Sequence, residues 1–245
     1  MAKKGHLNKQ KRISAHPIRN IARKEAVWTV KSMPGTHTAN TSIPLGLVVR
    51  DMLTLSRTMR ETKHLLSKGI IQIDHAVRKE YQFPVGLFDA VSIPSTKKNY
   101  RLSLDTKGRM TIHEMEGTIP AKPAKVMRKI IAKGKTIQVQ THDGNTYRGA
   151  DTKIKVGDSV LIGNKSTIEG HLPLSNGSHV FITGGTHVGE VALVKGIVPG
   201  TMKRDALVDL TEGEAAFQTT TKNVMVIDDI TSKWIKHTMS RGKGA

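Results

Sequence analysis

The sequence predicts an α+β chain built from several modules: a small helical pair with a hairpin, a β-rich middle module, and a second β-rich unit before a basic tail. Three observations carry this. Between Ser42 and Gly69 apolar residues recur at helical spacing, and the second helix has clear start and stop signals. From Tyr100 to Ile227 short alternating apolar runs are separated by glycine-containing turns. Finally, 39 Lys and Arg stand against 20 Asp and Glu, a net charge of +19 over 245 residues. Such a balance disfavours a compact state by self-repulsion unless a polyanion neutralises it, so nucleic acid is the expected partner.

An acidic membrane surface is the weaker alternative, because no apolar run approaches the ~18 residues of a span. The N-terminus carries the charge of a signal peptide with no apolar core behind it. Cysteine is absent, which excludes disulfide frameworks and cysteine-ligated zinc. These features describe a soluble, cytosolic, polyanion-binding chain.

Residues Met1 to Lys31 hold nine Lys or Arg (Lys3, Lys4, Lys9, Lys11, Arg12, Arg19, Arg23, Lys24 and Lys31) against one acid, Glu25. No helical stripe organises them and Pro17 interrupts the segment. They read as a basic arm that folds on its partner, with Trp28 and Val30 anchoring a short extended piece. Met33 to Thr41 has turn chemistry and reads as a linker.

In the first helix Leu45, Val48, Val49, Met52 and Leu53 fall at i, i+3, i+4, i+7 and i+8, one buried face, with Pro44 in the first turn. The second helix opens at a T-x-x-E capping box, Thr58 with Glu61, and stops at Gly69. Met59, Thr62, Leu65 and Leu66 can face inward, which leaves Arg60, Lys63, His64 and Lys68 mainly on the open side. Ile71 and Ile73 then alternate into a strand and Asp74-His75 makes a turn. The unit is a helix–turn–helix–hairpin with a basic outer face.

Arg78, Lys79 and Glu80 precede a loop and a strand of Ala90, Val91 and Ile93 that ends at Pro94. Tyr100–Asp105 and Arg109–Glu114 form a hairpin across Thr106-Lys107-Gly108. The segment from Pro123 to Thr141 fits two descriptions. One is a helix ending at Gly134 with Met127, Ile130 and Ile131 on one face. The other is two strands turning at Gly134, since Ile137, Val139 and Thr141 alternate; periodicity does not decide between them. His142 to Asn145 is a turn, and Lys155-Val156-Gly157-Asp158 opens a strand, Ser159–Ile162. From Ser178 two apolar runs flank a turn in which Gly184, Gly185 and Gly189 let the backbone bend tightly and approach a phosphate or base. Leu207–Leu210, Ala215–Thr219 and Val224–Ile227 supply further strands. The tail KWIKHTMSRGKGA is basic again, a second contact arm.

No catalytic constellation emerges. Gly134-Lys135-Thr136 ends like a phosphate loop, but Lys129 stands where its first glycine belongs. Eleven histidines include no H-x-x-x-H pair, and the eight-residue spacing of His171, His179 and His187 matches no metal geometry. Gly184 to Gly189 does not follow G-x-G-x-x-G, and no G-x-S-x-G elbow exists.

Glu61 to His75, ETKHLLSKGIIQIDH, resembles the second helix and hairpin of an S4-type RNA-binding domain, E-A-R-x-L-I-x-x-G-x-V-x-V-N-G. Asp74-His75 replaces the usual turn pair. Many members open this helix with Ser-Arg; that register holds Thr58-Met59 here, and Ser56-Arg57 lies two residues earlier. HVFITGGTHVGEVALVKGIV resembles a KOW motif, the core of a small SH3-like β-barrel, with Ala192 where a further glycine is usual. GHLNKQKR, SIPLGLVVRDML, KGIIQID, VRKEYQFPVGLFDAVSI, LDTKGR, the HDG turn, IKVGDSV and TGGTHVGEV, in that order, resemble the S4e family of small-subunit ribosomal proteins over nearly the whole chain.

The resemblance implies a basic extension and linker at 1–41, an S4-like RNA-binding domain at 42–99, a β-rich central module at 100–172, a KOW barrel at 173–230 and a basic tail at 231–245. It favours the hairpin for Pro123 to Thr141. It implies a structural, non-enzymatic role in translation, in the cytoplasm and within the ribosome. The implied partners are small-subunit ribosomal RNA and neighbouring small-subunit proteins, with no cofactor, metal, membrane or small-molecule substrate. RNA contacts are expected at Arg57, Arg60, Lys63, His64 and Lys68 on the helix, and at Arg78 and Lys79 in the hairpin loop. Further contacts are expected at Lys3, Lys4, Lys9, Lys11, Arg12 and Arg19 in the arm, and at Gly184, Gly185 and Gly189. With two Trp, three Tyr and four Phe, base stacking is too poorly supplied to be the main mode, so shape and phosphate contacts should dominate. The rival functions that reuse such modules are an RNA-modifying enzyme and a KOW transcription factor.

Overall fold

A computed structural model describes residues 9–115, 117, 119–132, 135–149, 151–163, 167–213 and 215–242. Its contacts divide into two units: the chain to Ser103 with Arg109–Ile119, and Leu104–Gly108 with Pro120 onward.

In the first unit Lys9–Lys11 (β1) and Trp28–Val30 (β2) pair antiparallel, Lys11 opposite Trp28. The basic arm is therefore folded onto its own unit from β1 onward, contrary to the expectation of an arm ordered only by a partner. Arg19 is the reason. It ends a 3-10 turn, Pro17–Arg19, after which Asn20 adopts φ 44°, and only 2% of its surface is exposed. Its Nε donates to the Ser42 carbonyl (3.3 Å), and Nη1 to Gln10 Oε1 (3.2 Å) and the Val30 carbonyl (3.3 Å). Nη2 completes the set on Ser32 Oγ (3.1 Å) and the Ala39 carbonyl (3.1 Å). A guanidinium offers five donors in a fixed fork, and here every nitrogen is bonded inside the protein.

Ile43–Pro44 (β3) leads into Leu45–Leu47 (α1), which continues as a π-helical turn over Val48–Met52. Leu45, Val48 and Val49 are fully buried, as their spacing predicts. Met52 and Leu53 are only half-buried, because the wider π turn carries them off the face that α-helical spacing assigns. Met59–Ser67 (α2) has the predicted cap. Thr58 Oγ1 accepts from the Glu61 amide (3.3 Å), while Glu61 Oε2 accepts from the amides of Thr58 (3.3 Å) and Arg57 (2.9 Å). The helix stops before Gly69 at φ 72°.

Gln72–Ile73 (β4) and Ala76–Val77 (β5) form a hairpin whose turn residues Asp74 and His75 are both left-handed, at φ 46° and 64°. Pro84–Val85 (β6) pairs with β3. Ala90–Ile93 (β7), Lys98–Leu104 (β8) and Met110–Met115 (β9) complete a five-stranded sheet in the order β5-β4-β7-β8-β9. The β8–β9 hairpin, expected to open the central module at residue 100, belongs instead to this sheet: Ala90 lies opposite Arg101 and Ile93 opposite Lys98.

In the second unit Lys122–Ile131 (β10) and Ile137–Thr141 (β11) pair antiparallel, so the ambiguous segment is two strands, with Ile131 opposite Ile137. Gly134 lies outside the described residues. Thr146–Arg148 (β12), Ser159–Ile162 (β13) and Ile168–Leu172 (β14) give the order β12-β11-β10-β13-β14. Strand β10 is long because its first half pairs with β13 and its second half with β11, with a register shift between Val126 and Arg128. Ala124, Val126, Val139, Tyr147, Ile154, Val160 and Ile162 form the core here.

His179–Ile182 (β15), Val191–Val198 (β16), Leu207–Glu212 (β17), Ala215–Thr220 (β18) and Val224–Val226 (β19) form the last sheet, ordered β18-β17-β16-β15-β19. Ala192 is 2% exposed within its core. The basic tail is a helix, Asp229–Gly242 (α3), with Ile235 buried and contacts to β15 and β16. Lys125 donates to the carbonyls of Thr221 (2.6 Å) and Lys222 (2.9 Å), tying β10 to the turn before β19. Among the described residues no helix is long and apolar enough to cross a membrane.

Candidate nucleic-acid interface

The outer face of α2 follows from its cap and its spacing. Thr62 and Leu66 are buried, which turns Arg60, Lys63, His64 and Lys68 to solvent, with Arg57 exposed just before the cap. Glu61 is the helix's single acid, and the cap consumes it. The amides of Arg57 and Thr58 hold its carboxyl below the usual carboxylate range, so it remains an anion serving backbone donors. Arg60, Lys63 and His64 share a shallow depression with Thr58 and Ser67.

The loop after β5 brings the second set of cations alongside. Lys63 Nζ lies 4.1 Å from the Tyr81 ring centroid, and the Arg78 guanidinium 4.6 Å from that of Phe83. Both cations are therefore held over aromatic faces. A Cβ on Gly69 would meet Val77 at 3.2 Å and Lys79 at 3.9 Å, so the helix stop and the hairpin pack closely. Tyr81 and Phe83 were not among the expected site residues. Their signal in the sequence is two aromatics at alternate positions just past Arg78-Lys79-Glu80.

The arm divides. Lys3 and Lys4 lie outside the described residues, and Lys9 is described by its backbone alone. Lys11 is exposed opposite Trp28. Arg12 is mostly buried and faces Glu25 at 3.6 Å. Arg19 is corrected from a surface RNA contact to an internal tie, and burial lowers its pKa.

The glycines divide as well. Gly185 is exposed at φ 98°, and Gly184 packs against Asn223. Gly189, at φ 88°, is buried, and a Cβ there would lie 2.7 Å from the Asp105 carbonyl oxygen. Gly189 thus serves a close approach of the chain to itself rather than to a ligand. Among the described residues no three His, Asp or Glu gather in ligating geometry. His171 bonds Asp158 at 2.8 Å, while His187 stacks on Phe217 and bonds Glu190 at 2.9 Å.

The family model described as Ribosomal family S4e matches residues 96–167. The small ribosomal subunit protein eS4 of Methanococcus vannielii is 36% identical over 236 residues, covering 93% of this chain and 96% of the relative. That of Archaeoglobus fulgidus is 42% identical over 188 residues, covering 76% and 78%. A crystal structure of the 30S ribosomal protein S4e from Thermoplasma acidophilum matches with a TM-score of 0.66 at 30% identity, covering 76% of this chain and 95% of that one. Identity of 36% across 93% of the chain, with likeness to this fold, places the chain in one family: it belongs to the S4e family of ribosomal proteins.

Proposed function

We propose that this chain is a structural constituent of the small ribosomal subunit and acts in translation, in the cytoplasm, by binding ribosomal RNA. The S4-like unit around α2 supplies the main contact, and the β15–β19 sheet is the KOW module. The observation that carries the reading is the exposed set Arg57, Arg60, Lys63, His64 and Lys68 along and at the ends of a helix whose single acid is engaged in its cap. Arg78 and Lys79 extend that set beside it, and Lys11 and Gly185 offer further contacts.

The mechanism is static. Cations already held over Tyr81 and Phe83 meet phosphates with little loss of freedom, and counterions are released. Structured RNA hides its base edges in a deep, narrow groove, so shape and backbone dominate recognition. Neighbouring small-subunit proteins are the expected protein contacts, as the names of the relatives imply. Titrating the full chain with small-subunit ribosomal RNA at several salt concentrations tests this. For about eight engaged phosphates, log affinity falls against log salt with a slope of roughly −6 to −7. A slope near zero contradicts it.

A further inference from the structure

Beside the α2 face lies a groove that phosphate binding does not account for. It has a volume of about 650 Å³, with Met33–Thr36 along one side and Val77–Glu80 with Phe83 along the other. Its walls are tied together at the base: the Met33 amide donates to the Gln82 carbonyl (3.0 Å) and the Thr36 hydroxyl to the Pro84 carbonyl (3.3 Å). The groove is thus preformed. A surface that met only phosphates would need cations and little else. This one exposes apolar side chains, Val77 at 47% and Met33 at 37%, directly beside Arg78 and Lys79, with Glu80 its one acid.

Arg78 adds a second, independent observation. Its guanidinium is held over Phe83, and its Nε is buried with no hydrogen-bond partner among the described residues. Buried N–H donors are rarely left unpaired, because losing water without gaining an acceptor is costly.

We propose that this groove takes a single unstacked RNA nucleotide, its base against Met33 and Val77 and its phosphate on Arg78 and Lys79. Single-stranded bulges and loops offer such bases, and proteins read them by packing them on apolar, aromatic or guanidinium surfaces. The apolar wall and the adjoining cations match the two ends of one nucleotide, which neither a paired helix nor a free phosphate supplies together. The inference rests on the RNA-binding reading above and names the structural class of RNA that the same region selects.

The test compares two end-labelled RNA hairpins of equal length, one fully paired and one with a single unpaired adenosine, titrated with the full chain. The bulged hairpin should bind about tenfold more tightly. The double variant Met33→Ser/Val77→Ser should lose that preference while keeping its affinity for the paired hairpin and its melting temperature, since both side chains are partly exposed. Arg78→Lys keeps the charge but removes the Nε donor, and it should weaken the preference without changing the salt slope. Equal binding of both hairpins by the unaltered chain overturns the groove assignment and leaves the RNA-binding reading standing. A preference that survives both variants also overturns it, by moving the bulge site elsewhere. Salt-independent binding, or none, to either hairpin contradicts the RNA-binding reading itself.

Discussion

Lys63 Nζ rests 4.1 Å from the centroid of Tyr81, which joins the exposed face of α2 to the loop that follows the β4–β5 hairpin. Two residues of that loop thereby hold cations, since Phe83 does the same for Arg78 at 4.6 Å. The basic surface is consequently a positioned array rather than a set of free side chains.

The triple variant Arg60→Ala, Lys63→Ala, Lys68→Ala removes three charges from this array. We expect the salt slope for RNA binding to flatten by roughly 2 to 3, with the helix still capped by Thr58 and Glu61. An unchanged slope would move the phosphate contacts off α2.

Arg19→Met separates two roles that basic residues play in the arm. It leaves the carbonyls of Ser42, Val30 and Ala39 short of donors, so urea unfolding should report a loss of about 3 kcal/mol. The salt slope should stay unchanged, because Arg19 is 2% exposed. A stable protein with a flattened slope would return Arg19 to the RNA surface.

Much of the first unit is legible in the sequence because its signals are local. The Thr58–Glu61 box, the Gly69 stop and the Asp74-His75 turn each depend on residues a few positions apart, and each is present in the structure. What the sequence hides is non-local. Arg19 and Lys11 are equivalent entries in a basic stretch until carbonyls more than ten residues away close around one of them. The β8–β9 hairpin is visible from its turn, yet its membership in the first sheet depends on pairing with β7. The segment around Val126 is decided by β13, which pairs with Lys122 to Lys125 and commits the chain to a strand before its helical spacing can act. In the candidate site the cations of α2 follow from helical spacing, whereas Tyr81 and Phe83 acquire their role only where the loop folds back on the helix.

Two buried charges in the second unit each make stability rise with pH, in separate windows. Burial pushes the Asp143 carboxyl up, but the Lys122 and His142 charges, the Thr141 hydroxyl and the Lys122 hydrogen bond outweigh it and hold the group at about 2, against an ordinary 3.8. Its contribution, about 2.5 kcal/mol, is present above pH 4 and lost as pH falls through 2. Burial lowers Lys125 from an ordinary 10.5 to about 8. Between pH 8 and 10.5 the unfolded chain binds the extra proton, so stability from this residue rises with pH, by about 3 kcal/mol in all. Denaturant midpoints for the unaltered chain and Lys125→Met should converge as pH is raised above 8 if the variant starts out more stable, or diverge in favour of the unaltered chain if they start equal. Parallel profiles would show that Lys125 titrates normally.

Gly189→Ala should destabilise more than Gly185→Ala. Both glycines have positive φ, at 88° and 98°, but only the first would drive its Cβ to 2.7 Å from the Asp105 carbonyl oxygen. The left-handed conformation alone costs about 1–2 kcal/mol for an alanine, and the clash at Gly189 adds to that. Thermal melts of the two variants compare them directly. Equal melting temperatures would remove the close-approach role assigned to Gly189.

The central claim is membership of the small ribosomal subunit through RNA. Sedimentation of a native cell extract, with mass spectrometry across the gradient, tests it most directly. We predict comigration with the small subunit at close to one copy, persisting through a moderate salt wash. Recovery of the chain in free fractions or with polymerase, away from the ribosomal peak, would contradict the account.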